Sequence, residues 1–515
     1  MKTSLHSQPL YTAKQVREGE VLAAKKNNIT MFELMEKAGE AAFQLIISHY
    51  PHSKKWLICC GKGNNGGDGY VVARLAKQAG IEVHVWQAGD LSDKLTEDAQ
   101  QALELWLTID GAVCHAKDRI PPDCDLIVDA LLGTGFKPPL RSNYAELISR
   151  INHTHLPIVS IDIPSGLDAD TGHVQPHSLE EANRRQEQNG LAIVASHTIT
   201  FIGIKQGLVT GSARDHTGLL HFSGLGVDES FNQMNVASAV YSCADEIPTL
   251  LMPRRRTAHK GLNGKVLLIG GNVGMGGAIR LASEGCIRSG AGLVSVLTHP
   301  DNILPILSSR PEIMAQSWES DCKVISDKIH WASTYVLGPG LGQDEQAQRW
   351  FEYIKQSSGE KVLDADALNL LAVEPNQDPN RIITPHPGEA ARLLNCTVAD
   401  IEINRYQAAQ DLQQKYGGVV VLKGAGTIVY DGKATWVCHA GNPGMASAGI
   451  GDVLSGVIGA MLGQNLTLTD AAQIGVFIHS CAADLCAKEN GEIGLVASDL
   501  FQTLRRVING PLIQG

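Results

Sequence analysis

The chain has 515 residues, more than one hydrophobic core usually organises, which points to two large domains. Its formal net charge of -11 at pH 7, with no long basic run, argues against a nucleic-acid scaffold and leaves room for a local site that takes a small anion. Eleven cysteines, odd in number, scattered and never in a CxxC pair, suit reduced thiols better than a disulfide framework or a cysteine zinc site; Cys59 and Cys60 read as strand residues.

Residues 1–9 carry no apolar stretch of the export type. No apolar run approaches the roughly 18 residues of a membrane helix, so a cytoplasmic protein with no membrane partner is expected. Short Val- and Ile-rich runs, each followed by a glycine-rich turn and a segment of helical period, recur along the chain. That alternation predicts an α/β fold built twice, with parallel sheets covered by helices. In the first half strands are expected at 56–60, 81–86, 125–129, 157–162 and 198–202. The rhythm lapses over 226–258, where Pro253-Arg254-Arg255-Arg256 precedes a fresh strand at 265–269, so the boundary falls near residue 240 and the domains are 1–240 and 241–515. Further strands are expected at 293–297, 335–337, 361–363, 381–383 and 419–422, with no short internal repeat.

The first strand runs into Gly61-Lys62-Gly63-Asn64-Asn65-Gly66-Gly67-Asp68-Gly69 and then a helix-compatible segment. Such a turn either lets the backbone approach a phosphate at a helix start or is simply a tight strand-helix connection. Two later segments, Asp125 to Gly135 and Ile161 to Asp168, also put acids and glycines at strand C-termini, the edge of an open parallel sheet where ligands bind. Asn65, Asp129 and Ser165 could bring oxygens around a monovalent cation; alternatively Asp129 and Ser165 cap helices. Lys205 is either a charge-stabilising group or an exposed surface lysine.

These motifs resemble the NAD(P)H-hydrate epimerase family, with GNNGGDG, D-x-LLGTG and D-x-PSGL-D in that order between about Val16 and Leu225. The resemblance implies that Asn64, Asn65, Gly66, Gly67 and Asp68, with Gly133, Thr134, Gly135, Phe136, Lys137, Pro138, Pro139 and Tyr144, bind the substrate. It implies that Asn65, Asp129 and Ser165 hold K+, and that Asp162 is the general acid/base at the hydrated ring. Two departures stand out: Pro138 replaces the family's usual glycine, and 175–194 is longer and more polar than expected.

In the second half the strongest signal is Asn442-Pro443-Gly444-Met445-Ala446-Ser447-Ala448-Gly449-Ile450-Gly451-Asp452. Small residues let a loop fold onto a helix start so that N–H groups converge on an anion, with Asp452 where a base is needed; a plain helix N-cap is the alternative. Upstream, an apolar strand enters Lys423-Gly424-Ala425-Gly426-Thr427, suited to a nucleotide or to an ordinary hairpin. His386 stands between Pro385 and Pro387, which restrict its backbone and favour a ligand contact. After Gly270 to Gly277 comes a helix whose Ala278, Leu281, Ala282, Gly285, Cys286 and Ser289 share a face of mostly small residues, while Arg280, Glu284 and Arg288 read as a solvated face.

With Gly338 to Gly342, Asp364 to Asn369 and Thr384 to Glu389, these segments resemble the nucleotide-dependent NAD(P)H-hydrate dehydratases, from about residue 253 to the C-terminus. The resemblance implies a Rossmann-like three-layer domain followed by a ribokinase-like α/β domain. Ala278, Gly340, His386 and Asp452 would contact the hydrate, and Lys423, Gly424, Ala425, Gly426, Thr427 and Gly451 the nucleotide. ADP, with ATP as the alternative donor, Mg2+, the substrates NADHX and NADPHX, and self-association are its further implications. The rival is a small-molecule kinase of the ribokinase type whose first half merely binds nucleotide.

Overall fold

The computed structural model describes residues 7–89, 94–116, 120–175, 191–242, 251 and 254–510. Most of the long polar segment at 175–194 therefore lies outside the described residues. Two compact units form, Pro9–Ala239 and Val240–Gly515.

In the first unit, β1 (Gln8–Tyr11) is followed by the helices Ala13–Lys26 and Met31–His49. Both begin at a capping box, Thr12 with Gln15 and Thr30 with Glu33, which satisfies first-turn N–H groups reciprocally. Next come β2 (Lys55–Cys60), β3 (Glu82–Gln87), β4 (Val113–His115), β5 (Leu126–Ala130), β6 (Ile158–Ile161), β7 (His197–Phe201), β8 (Ile204–Lys205) and β9 (Leu219–Ser223). Their main sheet is parallel throughout, in the order β4-β3-β2-β5-β6-β7-β9, and β1 pairs with β8. Along β2, Trp56, Ile58 and Cys60 enter one apolar cluster while Leu57 and Cys59 enter another, so both faces of the sheet are covered and the layers number three. Successive strands run outward in opposite directions from β2 and β5. Their C-terminal ends flank the switch point at which an open parallel sheet binds ligands.

The second unit contributes β10 (Ala239–Ser242), β11 (Lys265–Ile269), β12 (Leu293–Thr298), β13 (Met314–Ser317), β14 (Thr334–Leu337), β15 (Glu360–Leu363), β16 (Arg381–Ile383), β17 (Val419–Leu422), β18 (Ile428–Tyr430) and β19 (Thr435–Cys438). Their order is β13-β12-β11-β14-β15-β16-β17-β18-β19-β10, parallel except for the β17-β18-β19 meander. The switch point here lies between β11 and β14, and the loops that leave them are joined by hydrogen bonds from Gly271 N to Pro339 O at 2.9 Å and Asn272 N to Gly340 O at 2.6 Å.

The helices Gly276–Arg288 and Ile450–Gly463 pack through their small faces. A Cβ on Gly456 would stand 1.9 Å from the Ala282 carbonyl oxygen, so only glycine permits this approach. One expectation fails on this helix: Glu284 is buried at 3% exposure and pairs with Arg310, with Arg288 Nε at 3.9 Å. An i, i+4 charge pattern cannot reveal that an arginine from a distant segment supplies the partner that makes burial tolerable.

Candidate active sites

In the first unit a cavity of about 660 Å3 opens at the switch point. Asn64, Asn65, Asp68, Gly133, Thr134, Gly135, Phe136, Lys137, Pro139, Tyr144 and Asp162 all line it, and so does Lys205. Gly66, Gly67 and Pro138 are not among its lining residues. Gly66 lies instead against the loop backbone, where an added Cβ would meet Gly61 O at 2.0 Å. The helix Asn64–Gln78 starts at Gly63 with no side chain capping it, which leaves first-turn N–H groups for an anion.

Asp162 follows β6 with φ of +65°, a strained conformation for a residue with a side chain, and Ile202, also on the cavity wall, has φ of +66°. Asp162 Oδ1 accepts hydrogen bonds from Lys205 Nζ and, at 3.3 Å, from Thr200 Oγ1. Lys205 also donates to Thr200 Oγ1 at 3.0 Å and Phe201 O at 3.1 Å. At 1% exposure it is no surface lysine. Asp162 Oδ2 faces Gly133. Hence one carboxylate oxygen is anchored and the other points toward the loop.

Two further carboxyls belong to this site. Glu20, on the helix Ala13–Lys26, lines the cavity; burial pushes it up to about 7, with the Asp162 charge adding to the rise and Lys205 opposing it. Burial, followed by the charges of Asp162 and Glu20, raises Asp68 well above the usual carboxylate range. Glu20 had no local signal, since it sits outside every glycine motif and reaches the site only through the sheet's tertiary packing.

Asp129 and Ser165 do not cap helices. Asp129 is fully buried and accepts from Ser165 Oγ at 2.6 Å, Ser165 N at 2.9 Å and Ser160 Oγ at 2.8 Å. Asn65 Nδ2 donates to Leu132 O at 3.0 Å, and Ser165 Oγ accepts from Leu132 N at 2.9 Å. Asn65 Oδ1 is buried with no hydrogen-bond partner, an arrangement that costs about 1–3 kcal/mol unless something compensates it.

In the second unit the helix Ile450–Gly463 begins at Gly449, whose φ is +87°, again with no side-chain cap. Asp452 is the third residue of the first turn and not its cap. Burial pushes its carboxyl up to about 7; the charges of Asp364, Glu389 and Asp366 add to the rise and Lys423 opposes it. Lys423 Nζ stands 2.8 Å from Asp364 Oδ1 and 3.7 Å from Glu389 Oε2, and Asp364 Oδ2 accepts from Ser455 Oγ. Burial alone would raise Asp364, but Lys423 and these hydrogen bonds hold it below the ordinary value.

The segment 423–427 does make a hairpin turn, closed by Thr427 Oγ1 donating to Gly424 O at 3.0 Å. The same turn brings Lys423 against the helix start, Nζ being 3.3 Å from where a Gly451 Cβ would stand. Ala278 and Gly340 are also neighbours, an added Cβ on Gly340 reaching Ala278 Cβ at 3.2 Å. His386 caps the helix Pro387–Leu394: its Nδ1 accepts from Gly388 N at 3.0 Å and Glu389 N at 3.3 Å, and half of its side chain stays exposed. Burial, then the charges of Lys423 and Arg392, keep it below the usual histidine value. Asp364 and Glu389 are the residues that motif reading did not single out here. Both lie inside matched segments, but their shared lysine comes from a separate strand.

No described helix is long and apolar enough to cross a membrane. Residues 31–207 match a family model described as YjeF-related protein N-terminus, and residues 266–506 one described as NAD(P)H-hydrate dehydratase. A bifunctional NAD(P)H-hydrate repair enzyme of Vibrio cholerae is 50% identical over 499 residues, covering 97% of this chain and 98% of that one. A protein of the same description from Escherichia coli is 48% identical over 503 residues, covering 97% and 94%. Among solved structures, an ADP/ATP-dependent NAD(P)H-hydrate dehydratase from Bacillus subtilis, co-crystallized with ATP/Mg2+, is 28% identical with a TM-score of 0.47, covering 52% of this chain and 96% of that chain.

Proposed function

The chain belongs to the family of bifunctional NAD(P)H-hydrate repair enzymes, and on that premise we propose which of its residues carry each of the two reactions. It epimerises hydrated NADH and NADPH, and it dehydrates them to NAD(P)H at the expense of a nucleotide. The two-part match runs along nearly the whole chain and tells against a free-standing small-molecule kinase.

Epimerisation belongs to the first unit. The nucleotide part of the substrate lies along Asn64 to Asp68 and Gly133 to Pro139, where uncapped N–H groups and Lys137 meet its phosphates. Asp162 takes the 6-hydroxyl proton as the C6–N1 bond of the hemiaminal breaks and N1 gains a proton; N1 then re-adds to the other face of the resulting aldehyde, which regains its hydroxyl proton, Oδ2 moving the proton while Lys205 and Thr200 hold Oδ1. Asn65, Asp129 and Ser165 would hold K+. The unpartnered Asn65 Oδ1 supports this, being the oxygen a cation would satisfy. Such an ion would fix the loop's position by its charge.

Dehydration belongs to the second unit. The ring hydroxyl is a poor leaving group until it carries phosphate. Asp452 takes the hydroxyl proton as its oxygen attacks the terminal phosphoryl group of ADP or ATP; the lower nucleotide departs, and elimination of phosphate with a ring proton restores the dihydropyridine. With ADP the products are AMP and phosphate. The helix start at Ile450–Asp452 and Lys423 face the charge that develops. Mg2+ neutralises nucleotide phosphates when it is bound. Asp364 is already engaged by Lys423 and Ser455, so the ion would be held chiefly by phosphate and water.

The observation that carries this reading is Asp452, poised near neutrality beside an uncapped helix start and Lys423. Replacing it by asparagine should lower nucleotide-dependent dehydration about 10²- to 10⁴-fold, the usual span for a general base. A near wild-type rate in Asp452→Asn would overturn the assignment.

A further inference from the structure

The first unit carries a histidine cluster that neither reaction uses. His49 ends the helix Met31–His49, His197 opens β7, and His221 lies within β9, the neighbouring edge strand. One nitrogen from each ring lies within 4.8 Å of the other two. Ring centroids are 4.5 Å apart for His49 and His197, 5.1 Å for His49 and His221, and 5.1 Å for His197 and His221. None of the three lines the substrate cavity. His197 stands four residues before Phe201 on the cavity wall, which is about 13 Å along a strand.

The ring nitrogens are disposed as ligands. His49 Nδ1 lies 3.1 Å from the Leu45 carbonyl oxygen of its own helix and 3.0 Å from Ser48 Oγ, which itself donates to that carbonyl at 2.7 Å; in the tautomer with Nδ1 as a second donor to Leu45 O, Nε2 keeps its lone pair for an ion. Metal-binding histidines are fixed in this way by a hydrogen bond from the second nitrogen. His197 Nδ1 and His221 Nε2 face each other at 2.9 Å. Two nitrogens on one tetrahedral zinc ion, with bonds of about 2.0–2.1 Å, stand about 3.3 Å apart, so this pair must open by a few tenths of an ångström while the exposed His49 ring closes from a separation of up to 4.8 Å. His197 is buried while His49 is exposed, which gives an ion a path in and leaves a position for water.

We propose that His49, His197 and His221 bind one divalent first-row transition ion, zinc being the type that suits three imidazoles and a water. The ion clasps the C-terminus of a helix to the edge strand of the sheet.

The test uses untagged full-length protein, stripped with chelator and titrated with Co2+ and then Zn2+. One equivalent of Co2+ should bind with the strong visible absorption of a four-coordinate site, Zn2+ should displace it, and Zn2+ should raise the melting temperature. In His49→Ala, whose ring is exposed and whose loss spares the core, affinity should fall by at least about tenfold, the lower end of what losing even an outer-shell partner does. His221→Gln should behave likewise, and both variants should keep both repair activities. Unchanged Co2+ affinity in His49→Ala, or no four-coordinate spectrum in the wild type, would reduce the cluster to a proton-sharing pair beside a surface ring.

Discussion

As the base proposed for dehydration, Asp452 would need its ionised form, yet its surroundings favour the protonated one. Dehydration should therefore rise with pH and level off above about 7, the value to which burial and three neighbouring carboxylates push it, and a kcat/KM profile measures this directly. A carboxyl raised in the folded state adds stability that is full below the ordinary aspartate value of 3.8 and is lost as the pH climbs through about 7. Asp452→Asn should accordingly melt higher than wild type at pH 8, with the gap closing toward pH 4, and calorimetry over that range would expose a flat difference if the carboxyl were not under this pressure. In the other site Lys205 holds Asp162, the acid/base proposed for epimerisation. Replacing it by methionine removes a charged hydrogen bond, typically about 1.5–3 kcal/mol, so epimerisation should fall about 10- to 100-fold. The loss should fall on kcat with KM nearly unchanged, because Lys205 positions the proton-moving carboxylate and not the substrate's phosphates. A raised KM with an unchanged kcat would mark Lys205 as packing alone.

The helix that carries Asp452 keeps its place because its small face meets that of Gly276–Arg288. Gly456→Ala puts a methyl into the Ala282 carbonyl, an overpacking that costs about 1–3 kcal/mol or more, and should lower both the melting temperature and the dehydration rate. Unchanged values would show that the two helices slide freely. The stripe of small residues on Gly276–Arg288 was legible in the sequence, though not the helix it meets, as were most long strands, whose apolar runs and turn residues lie next to one another. Contiguity is what made the sites legible too: Asn64 to Asp68, Asp162 and Asp452 announce themselves within a few residues. Glu20, the Lys205 pairing and the Asp364–Lys423–Glu389 cluster do not. Their members are brought together across many tens of residues, and no local period encodes such a meeting. Glu284 was misread for the same reason, its partner Arg310 lying on another element. The short strands β10, β18 and β19 lack the length that makes a run distinctive.

At the scale of the molecule, each parallel sheet carries a candidate site at the C-terminal ends of its strands, one around Asp162 after β6 and one around Asp452, beside residues that follow β15, β16 and β17. On the proposed division of labour the two reactions should be separable by single substitutions. The most direct test follows the near-ultraviolet absorbance of restored dihydronicotinamide when purified protein meets an epimeric mixture of hydrated NADH, with and without ADP and Mg2+. Wild type should consume both epimers only when nucleotide is present. Asp452→Asn should restore almost nothing while still interconverting epimers, and Asp162→Asn should stop with one epimer left, which then disappears at the spontaneous rate. Restoration without nucleotide, or equal and partial loss of both reactions in each variant, would contradict the assignment of one base to each half of the chain.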